Sequence, residues 1–563
     1  MDIDLSDMPF SRRGNWMNIA ELTEKSITRV QGGLYLQNNH ARGVAANELF
    51  RLQLLDALGK QIQQNTRCDG ICLTLTSDTA DGRVEIIFDG NDSLRIRGRK
   101  LGLELSIPFR CFVVAHPAGQ DLWTVNHRSR LRRYQFQRLT GTVQFSHQWK
   151  VHESLDVRLA CSGEKWEVAI DEFWSTWKPK LRRDFQDLRT ETAAEFEAFA
   201  EAIEPDAGQW AAPARLAAWL LWSATQSPTG LLGRESVFMS LNHMDQVWSW
   251  DNCFNAAALA GGLPELAIDQ FLTVADHQDA CGAYPDGLND GFKHYNFSKP
   301  PVQGLLLDWI RSRHTDFWTI GRIEQLYPTT ARFTQWWLDH RFDQQRGLCY
   351  YLHGNDSGWD NATMFDQSVP LISPDLNGFL IAQQHTLADM AGVLGMDDER
   401  QRWTDSAEAM QDRLIEQLWT GQGFTAIRTA DGRRVECDSL IPNMPIVLGK
   451  RLDEKIRNRL VANIEKFVTD HGLATELPTS EHYDGDGYWR GPVWAPSTML
   501  AVMGLRSAGA GELADRIARN FCTTCREGGF AENFDAVTGA PRRDRAYTWT
   551  ASALLCLSSE LDD

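Results

Sequence analysis

His353-Gly354-Asn355-Asp356-Ser357-Gly358-Trp359-Asp360-Asn361-Ala362-Thr363-Met364-Phe365 has neither the period of two of a half-buried strand nor the 3.6-residue period of an amphipathic helix. Two carboxylates, a serine, two amides, glycine and a tryptophan in so short a segment read as a loop that presents a carboxylic acid to a ligand. Asp360 is the candidate acid. The indole of Trp359 beside it lowers the local polarity, which disfavours the ionised carboxylate and raises its pKa towards that of a proton donor. Taken alone, the segment is explained equally well by an Asx-type turn with a solvated aspartate.

On either side of this loop the apolar residues recur at helical spacing. From Pro213 onwards the pattern predicts helices near 213–227, 251–262, 264–279, 301–313, 315–327, 329–342, 375–395, 398–419, 453–469, 493–507, 511–525 and 546–559. No sequence repeat of the solenoid kind accompanies them. Polar, glycine-rich and aromatic-rich segments fall on every second connection, as they would in an (α/α)6 barrel whose long loops gather at one end. Upstream, from about Gly32 to Val168, short period-two runs such as Ile71–Thr76, Val84–Phe88, Ser93–Arg97, Leu101–Ile107 and Cys111–Ala115 are broken by Asp-Gly turns. These predict an antiparallel β-sandwich. The fold class expected is therefore mainly α, with an antiparallel β-sandwich domain over 1–172, a helical linker over 173–212 and an (α/α)6 barrel catalytic domain over 213–563.

The composition bounds the function. A chain of 563 residues with 43% hydrophobic and 23% charged residues is a folded globular protein of two domains, or one toroid with an accessory domain. A net charge of −18 argues against nucleic-acid or anionic-membrane partners, which need basic patches. The local basic runs Arg128–Arg133 and Lys178–Arg183 read as solvated faces. The 21 tryptophans are an excess, and flat indoles suit the apolar faces of sugar rings, although cores use them too. The 11 cysteines, among them Cys111, Cys161, Cys349 and Cys556, are scattered in apolar runs and read as free thiols. Cys522 and Cys525 have no second pair or histidine to complete a zinc site, so no metal and no cofactor is expected. The N-terminal residues lack a signal-peptide pattern and no apolar run reaches about 18 residues, which makes the cytoplasm the default location and leaves no membrane partner. Asn361-Ala362-Thr363 matches a glycosylation acceptor, but a glycan there would obstruct the loop. A homo-oligomer is left open.

Four further segments carry chemistry. Trp248-Ser249-Trp250-Asp251-Asn252, at a helix start, places a carboxylate among indoles, as a sugar subsite would; an N-cap with core tryptophans is the plain alternative. Ala283-Tyr284-Pro285-Asp286-Gly287 is followed by Lys299-Pro300-Pro301-Val302-Gln303-Gly304, whose prolines set a helix start and put Gln303 in its first turn. Gly487-Tyr488-Trp489-Arg490-Gly491-Pro492-Val493-Trp494 holds three aromatics and a guanidinium in a loop fixed by glycine and proline, which favours binding. Gly528-Gly529-Phe530-Ala531-Glu532-Asn533-Phe534 sets Glu532 between aromatics, as a partner for Asp360 in a two-carboxylate site.

Taken in order, Ser357–Asp360, Trp250-Asp251, Lys299–Gly304, Tyr488–Trp494 and Phe530–Phe534 resemble the motif set of the trehalase and processing-α-glucosidase clan, glycoside hydrolase families 37 and 63. Within it, Trp248-x-Trp250-Asp251 with Gln303 and Tyr488-Trp489…Trp494 is most similar to the bacterial mannosylglycerate and glucosylglycerate hydrolase branch. The match covers roughly residues 215–560. The resemblance implies Asp360 as general acid and Glu532 as ionised general base of an inverting mechanism, with Trp250, Asp251, Gln303, Gly358, Trp489 and Trp494 around the sugar. Trp248, Asn252, Trp359, Tyr488 and Arg490 complete the expected substrate-binding set. The chain departs from that branch in its N-terminal sandwich and in lacking a recognisable glycerate loop.

The function expected is thus inverting hydrolysis of a small α-glycoside, an α-glucoside above all, whether disaccharide or glucosylglycerate-like. An inverting disaccharide phosphorylase would instead need a basic anion pocket, and a catalytically inactive carbohydrate-binding or sensor protein would turn Glu532 away from Asp360. An epimerase would need paired histidines, and His243, His353 and His482 are unpaired in the sequence.

Overall fold

The period-two runs of the first third form two antiparallel sheets, because each strand puts one apolar face inward and leaves the other to solvent. One sheet has six strands in the order Met17–Leu22, Gly33–Asn38, Glu48–Leu55, Gly102–Ser106, Ser154–Ala160 and Thr142–Gln148. The other has eight, in the order Asn65–Cys68, Leu73–Ser77, Ala80–Phe88, Ser93–Arg99, Lys165–Phe173, Arg132–Thr140, Leu122–His127 and Val113–Gly119. Leu52, Leu54, Leu103, Leu105, Val157 and Leu159 of the first share a core with Leu73, Leu75, Val84, Ile86, Ile96 and Phe136 of the second. The computed structural model describes residues 1–23, 30–40, 47–107, 112–127, 131–148, 154–160, 164–204, 208–366 and 369–561. Cys111, Cys161 and Arg128 lie outside the described residues. The run Lys178–Arg183 is more than a solvated face: Lys180 pairs with Asp92, Arg182 with the fully buried Asp171, and Arg183 with Asp89, strapping the chain to the larger sheet.

Beyond the sheets lie α1 (Phe185–Ile203) and then α2 (Ala211–Ala224), α3 (Asp251–Leu259), α4 (Pro264–Ala275), α5 (Gln303–Arg313) and α6 (Ile320–His340). They are followed by α7 (Pro374–Val393), α8 (Asp397–Leu418), α9 (Glu454–Ile464), α10 (Ala495–Ala508), α11 (Gly511–Gly528) and α12 (Thr548–Ser558). The ring closes through α3, α5, α7, a 3₁₀ segment at Ile441–Arg451, α10 and α12, each packed on the next and α12 back on α3. Around it stand α2, α4, α6, α8, α9 and α11. This is the (α/α)6 barrel that the spacing predicts.

Two helices expected at 315–327 and 329–342 are one. α6 runs through Pro328 because its buried face, Ile323, Leu326, Tyr327, Thr330, Phe333, Thr334 and Trp337, continues unbroken across the proline. The inner element at Ile441–Arg451 is absent from the sequence-based expectation. Pro442, Pro445 and Gly449, at φ 52°, hide its period, and it is built as 3₁₀ turns burying Ile441, Met444, Ile446, Val447 and Leu448. The C-x-x-C pair lies within α11 as buried free thiols.

The motif segments immediately precede the N-termini of α3, α5, α7, α10 and α12, five of the six inner elements. They therefore gather at one mouth of the ring. The sheets grip this part of the barrel: Trp16 Nε1 donates to Ser227 O at 3.1 Å, Arg13 pairs with Glu235, and Asn39 Nδ2 donates to Leu241 O at 3.0 Å.

Candidate active site

The loop ahead of α7 sorts its own two carboxylates. Asp356 accepts from the backbone N–H groups of Leu352 and Ser298, both at 2.9 Å, and of His353 at 3.2 Å, so it is the Asx-type anchor of the turn. Asp360 is left half-buried, past the fully buried ring of Trp359. Between them Gly358 sits at φ 72°, and a Cβ there would come within 2.5 Å of Trp250 Cζ2. Only glycine supplies both the left-handed backbone and the close approach.

Asn361 locks this loop to the one ahead of α10. Its Nδ2 donates to Gly487 O at 3.0 Å and its Oδ1 accepts from Trp489 N at 2.9 Å. Arg490 closes the clamp, donating from Nε to Asn361 O at 2.7 Å and pairing with Asp366. The clamp sets Trp359 against Trp489, ring centroids 4.9 Å apart, and Trp489 flat against Trp494 at 4.0 Å. Trp250, Trp549 and Tyr488 close the aromatic chamber: Trp250 lies 5.9 Å from Trp549, and Tyr488 stands edge-on to Trp494 at 4.9 Å.

The charged groups face this chamber from four segments. Burial pushes Asp251 up to about 8, helped by the negative charges of Asp286 and Asp360 and opposed by Lys299. Lys299 itself pairs with Asp286 at 3.2 Å, donates to Asn355 O at 2.9 Å and lies 5.6 Å from the centre of the Trp248 ring. Asp360 is pushed up to about 6 by burial, with Asp286 adding and Lys299 and His353 opposing. Glu532 is pushed up to about 8 by burial and by Asp544, against Arg543 and the hydrogen-bonded Tyr488 hydroxyl. That hydroxyl feels Glu532, Asp360 and Asp251 together, and with burial they hold its pKa well above the usual phenol value. One tyrosine thus links the two acids. The carboxyl of Glu532 is more thoroughly buried than that of Asp360 and has Asp544 beside it.

Several buried polar atoms here have no hydrogen-bond partner within the protein: Asp251 Oδ2, Gln303 Oε1 and the indole N–H groups of Trp248, Trp359 and Trp489. Each unmet group costs about 1–3 kcal/mol. A set of acceptors and donors ringed by indoles matches a polyhydroxylated ring. The Nε2 of Gln303 is fixed by Ser249 O at 3.1 Å, which aims the rest of its amide.

Two of the expected ligand residues also make contacts within the protein, and Asn252 Oδ1 has no partner there. Asn252 donates to Val237 O at 3.0 Å and Gln270 Oε1 at 3.1 Å, bracing α3 against its outer neighbour. The guanidinium of Arg490 is engaged in the loop clamp. The structure also brings in residues not singled out as ligands: Asp286, Lys299, Asn361, Trp549, Arg543 and Asp544. Asp286 and Lys299 stand in a quoted motif, where the double proline after the lysine reads first as a helix start. Asp486 N donates to Asp484 Oδ1 at 2.9 Å in a turn, and Asp486 pairs with Arg543. Among the described residues no helix is long and apolar enough to cross a membrane.

The mannosylglycerate hydrolase MGH1-like glycoside hydrolase domain family matches residues 244–550, which hold every segment described above. The chain belongs to this family. A mannosylglycerate hydrolase of Rubrobacter radiotolerans is 29% identical over 205 residues, 34% of this chain and 44% of that protein. Mannosylglycerate hydrolase MGH1 of Selaginella moellendorffii is 26% identical over 234 residues, 38% of this chain and 44% of that protein. The chain spans less than half the length of these curated relatives. In fold, the family 63 mannosylglycerate hydrolase of Thermus thermophilus, solved with glucose, superposes with a TM-score of 0.54 at 18% identity, covering 61% of this chain and 99% of that one. A bacterial glucoamylase solved with acarbose superposes over 100% of this chain and 95% of its own, with a TM-score of 0.64 at 12% identity. The family thus covers the barrel, and the glucoamylase fold extends over the sheets as well.

Proposed function

We propose that this protein is an inverting α-glycosidase of the cytoplasm, acting on a small α-glucoside, with the sandwich over 1–172, the linker over 173–212 and catalysis in 213–563. The observation that carries this reading is the chamber itself: a ring of indoles with unmet hydrogen-bonding groups, with Asp360 next to Trp359 and Glu532 beside the Tyr488 hydroxyl. Asp360, whose carboxyl burial pushes up to about 6, donates its proton to the glycosidic oxygen. Glu532 in its ionised form takes a proton from the water that attacks the opposite face of the ring. Trp250, Trp359, Trp489 and Trp494 wall the sugar, while Asp251 and Gln303 accept from its hydroxyls. Those bonds strengthen as the ring flattens towards the oxocarbenium-like state. Lys299 and Tyr488 hold charge in place at the two carboxyl groups. A phosphorylase would need a free cationic pocket, whereas Lys299 is matched by Asp286 and Arg543 by Asp486.

The test is a screen of α-linked disaccharides and glycosylglycerates with the released sugar followed by NMR. The β-anomer appearing first supports the reading; the α-anomer first, or no release from any α-glycoside, overturns it. A crystal with a bound inhibitor should place the two carboxyl groups about 6.5–9.5 Å apart, room for one water.

A further inference from the structure

Most of the aromatic rings described are buried or half-buried. Among the described residues the large aromatic side chains left exposed are Phe112, Trp174, Phe292 and Tyr295, the last three at 57%, 39% and 40%. Trp174 follows the strand Lys165–Phe173, Phe292 and Tyr295 follow Asp286 in the barrel, and the rim is where Trp174 meets the turn that carries Phe292. Arg132 joins them. Its guanidinium lies 3.3 Å from the centre of the Trp174 ring and donates to Asp290 at 3.1 Å, in the turn that carries Phe292.

From Phe292 the rings lead inward. Phe292 lies nearly parallel to His294 at 6.1 Å, and His294 is edge-on to Trp248 at 5.4 Å. Trp248 is the ring beneath Lys299, whose charge is felt by both Asp251 and Asp360. An aromatic trail therefore runs from the acid to the surface.

The rim is also rigid. His40 bridges Glu172 and Asp290, 2.7 Å to each, and its ring is stacked on Trp16 at 4.2 Å. Tyr295 is tied through its hydroxyl to His277 O. Four buried residues from both halves of the chain thus fix a surface that solvent alone does not require. Preset aromatic rings lose little entropy on binding, and one open face of an indole is the partner that the apolar face of a sugar takes.

We propose that this rim is an outer sugar subsite and that the leaving group is itself a glycosyl chain, its first ring beside Trp248 and His294 and its next on Phe292 and Trp174. The inference rests on the hydrolytic reading above and narrows its substrate to a neutral α-linked oligosaccharide. A three-carbon acid in the leaving-group site would not reach the rim, and the sheets would have no part in recognition.

The experiment compares kcat/KM for an α-linked glucose disaccharide, the corresponding trisaccharide and glucosylglycerate in the wild type, Trp174→Ala, Phe292→Ala and the double variant. The wild type should favour the trisaccharide over the disaccharide by about tenfold, the size of one aromatic stacking contact, and the double variant should lose most of that ratio through KM. Trp174→Phe, which keeps a flat ring, should restore part of it and covers the case in which the alanine variants fail to fold. Equal rates on the two saccharides, or turnover of glucosylglycerate alone, overturns the subsite. If the wild type cleaves no α-glycoside, the hydrolytic reading fails instead. The rim is then judged by calorimetric titration with the trisaccharide, where binding that the double variant keeps overturns it.

Discussion

Gly358→Ala tests the packing argument at its narrowest point. The new methyl group would meet Trp250 Cζ2 at 2.5 Å, Cε2 at 2.7 Å and Cη2 at 3.0 Å, against an ordinary carbon contact of about 3.5–4.0 Å. Loop or ring must therefore yield by roughly 1 Å. Trp250 has little room, with Phe254 at 5.9 Å, Trp549 at 5.9 Å and Trp489 at 6.4 Å. Overpacking of this kind costs about 1–3 kcal/mol. The left-handed backbone, φ 72°, adds about 1–2 kcal/mol for a residue with a Cβ. Stability should fall by about 2–5 kcal/mol on these two grounds. Because Asp360 is two residues on, a displacement near 1 Å should also lower kcat/KM about 100-fold. The assays are chemical denaturation and steady-state kinetics on the best substrate found. Gly358→Asn separates the two contributions, since asparagine tolerates the backbone conformation but keeps the Cβ. A Gly358→Ala protein with wild-type stability and kcat/KM within twofold would refute the reasoning.

Asn361→Ala removes both side-chain hydrogen bonds between the two loops and should lower kcat more than it raises KM, at about 1–3 kcal/mol of stability; an unchanged kcat in a destabilised protein would show that the clamp does not position the acid. The pH profile of kcat/KM should be a bell with limbs near pH 6 and pH 8, the values to which Asp360 and Glu532 are pushed, and a flat profile from pH 5 to 9 would contradict both. Glu532 has a folded pKa above its ordinary 4.5, so the stability its protonated form contributes is present below that value and lost as pH rises through about 8. Glu532→Gln should therefore lose activity by orders of magnitude yet melt higher than the wild type at pH 8–9, with the difference shrinking towards pH 5. A melting difference that does not vary with pH would refute the linkage.

How much of this is legible in the sequence depends on whether a residue's role is local. The loop at 353–365 stands out because so many polar groups beside an indole have no regular structure to serve, and its position between helices fits the barrel. The inner 3₁₀ element is invisible because Pro442, Pro445 and Gly449 break the very period by which helices are recognised. The bracing role of the Asn252 amide nitrogen is hidden by adjacency. Consecutive helix residues point about 100° apart, so the residue after Asp251 turns from the chamber to the outer helix. The clamping role of Arg490 is hidden for a similar reason: a guanidinium in an aromatic loop suggests a ligand, but its partners Asn361 and Asp366 lie well over 100 residues earlier in the chain. Trp549, inside an apolar helix start, carries the same pattern as any core tryptophan. Nothing near Trp174 in the sequence points to Phe292, since their link passes through Arg132 and Asp290.

The raised pKa values of the two acids bear on how the substrate is used. Burial raises both carboxyls, Asp360 to about 6 and Glu532 to about 8. The productive arrangement puts the proton on Asp360 and the charge on Glu532, and the reverse arrangement exchanges them. The bell-shaped profile cannot distinguish the two arrangements, because its limbs belong to the pair. Binding changes the balance at both ends. A sugar filling the chamber displaces solvent from half-buried Asp360 and disfavours its charge, while a water held on Glu532 donates to that carboxylate and favours its charge. Lys299 and Asp286 complete the control from the leaving-group side, since each hydrogen bond a bound sugar makes to Asp286 weakens the charge that now raises Asp360. Burial thus gives both acids the same push, and the ligand must supply the difference between donor and base.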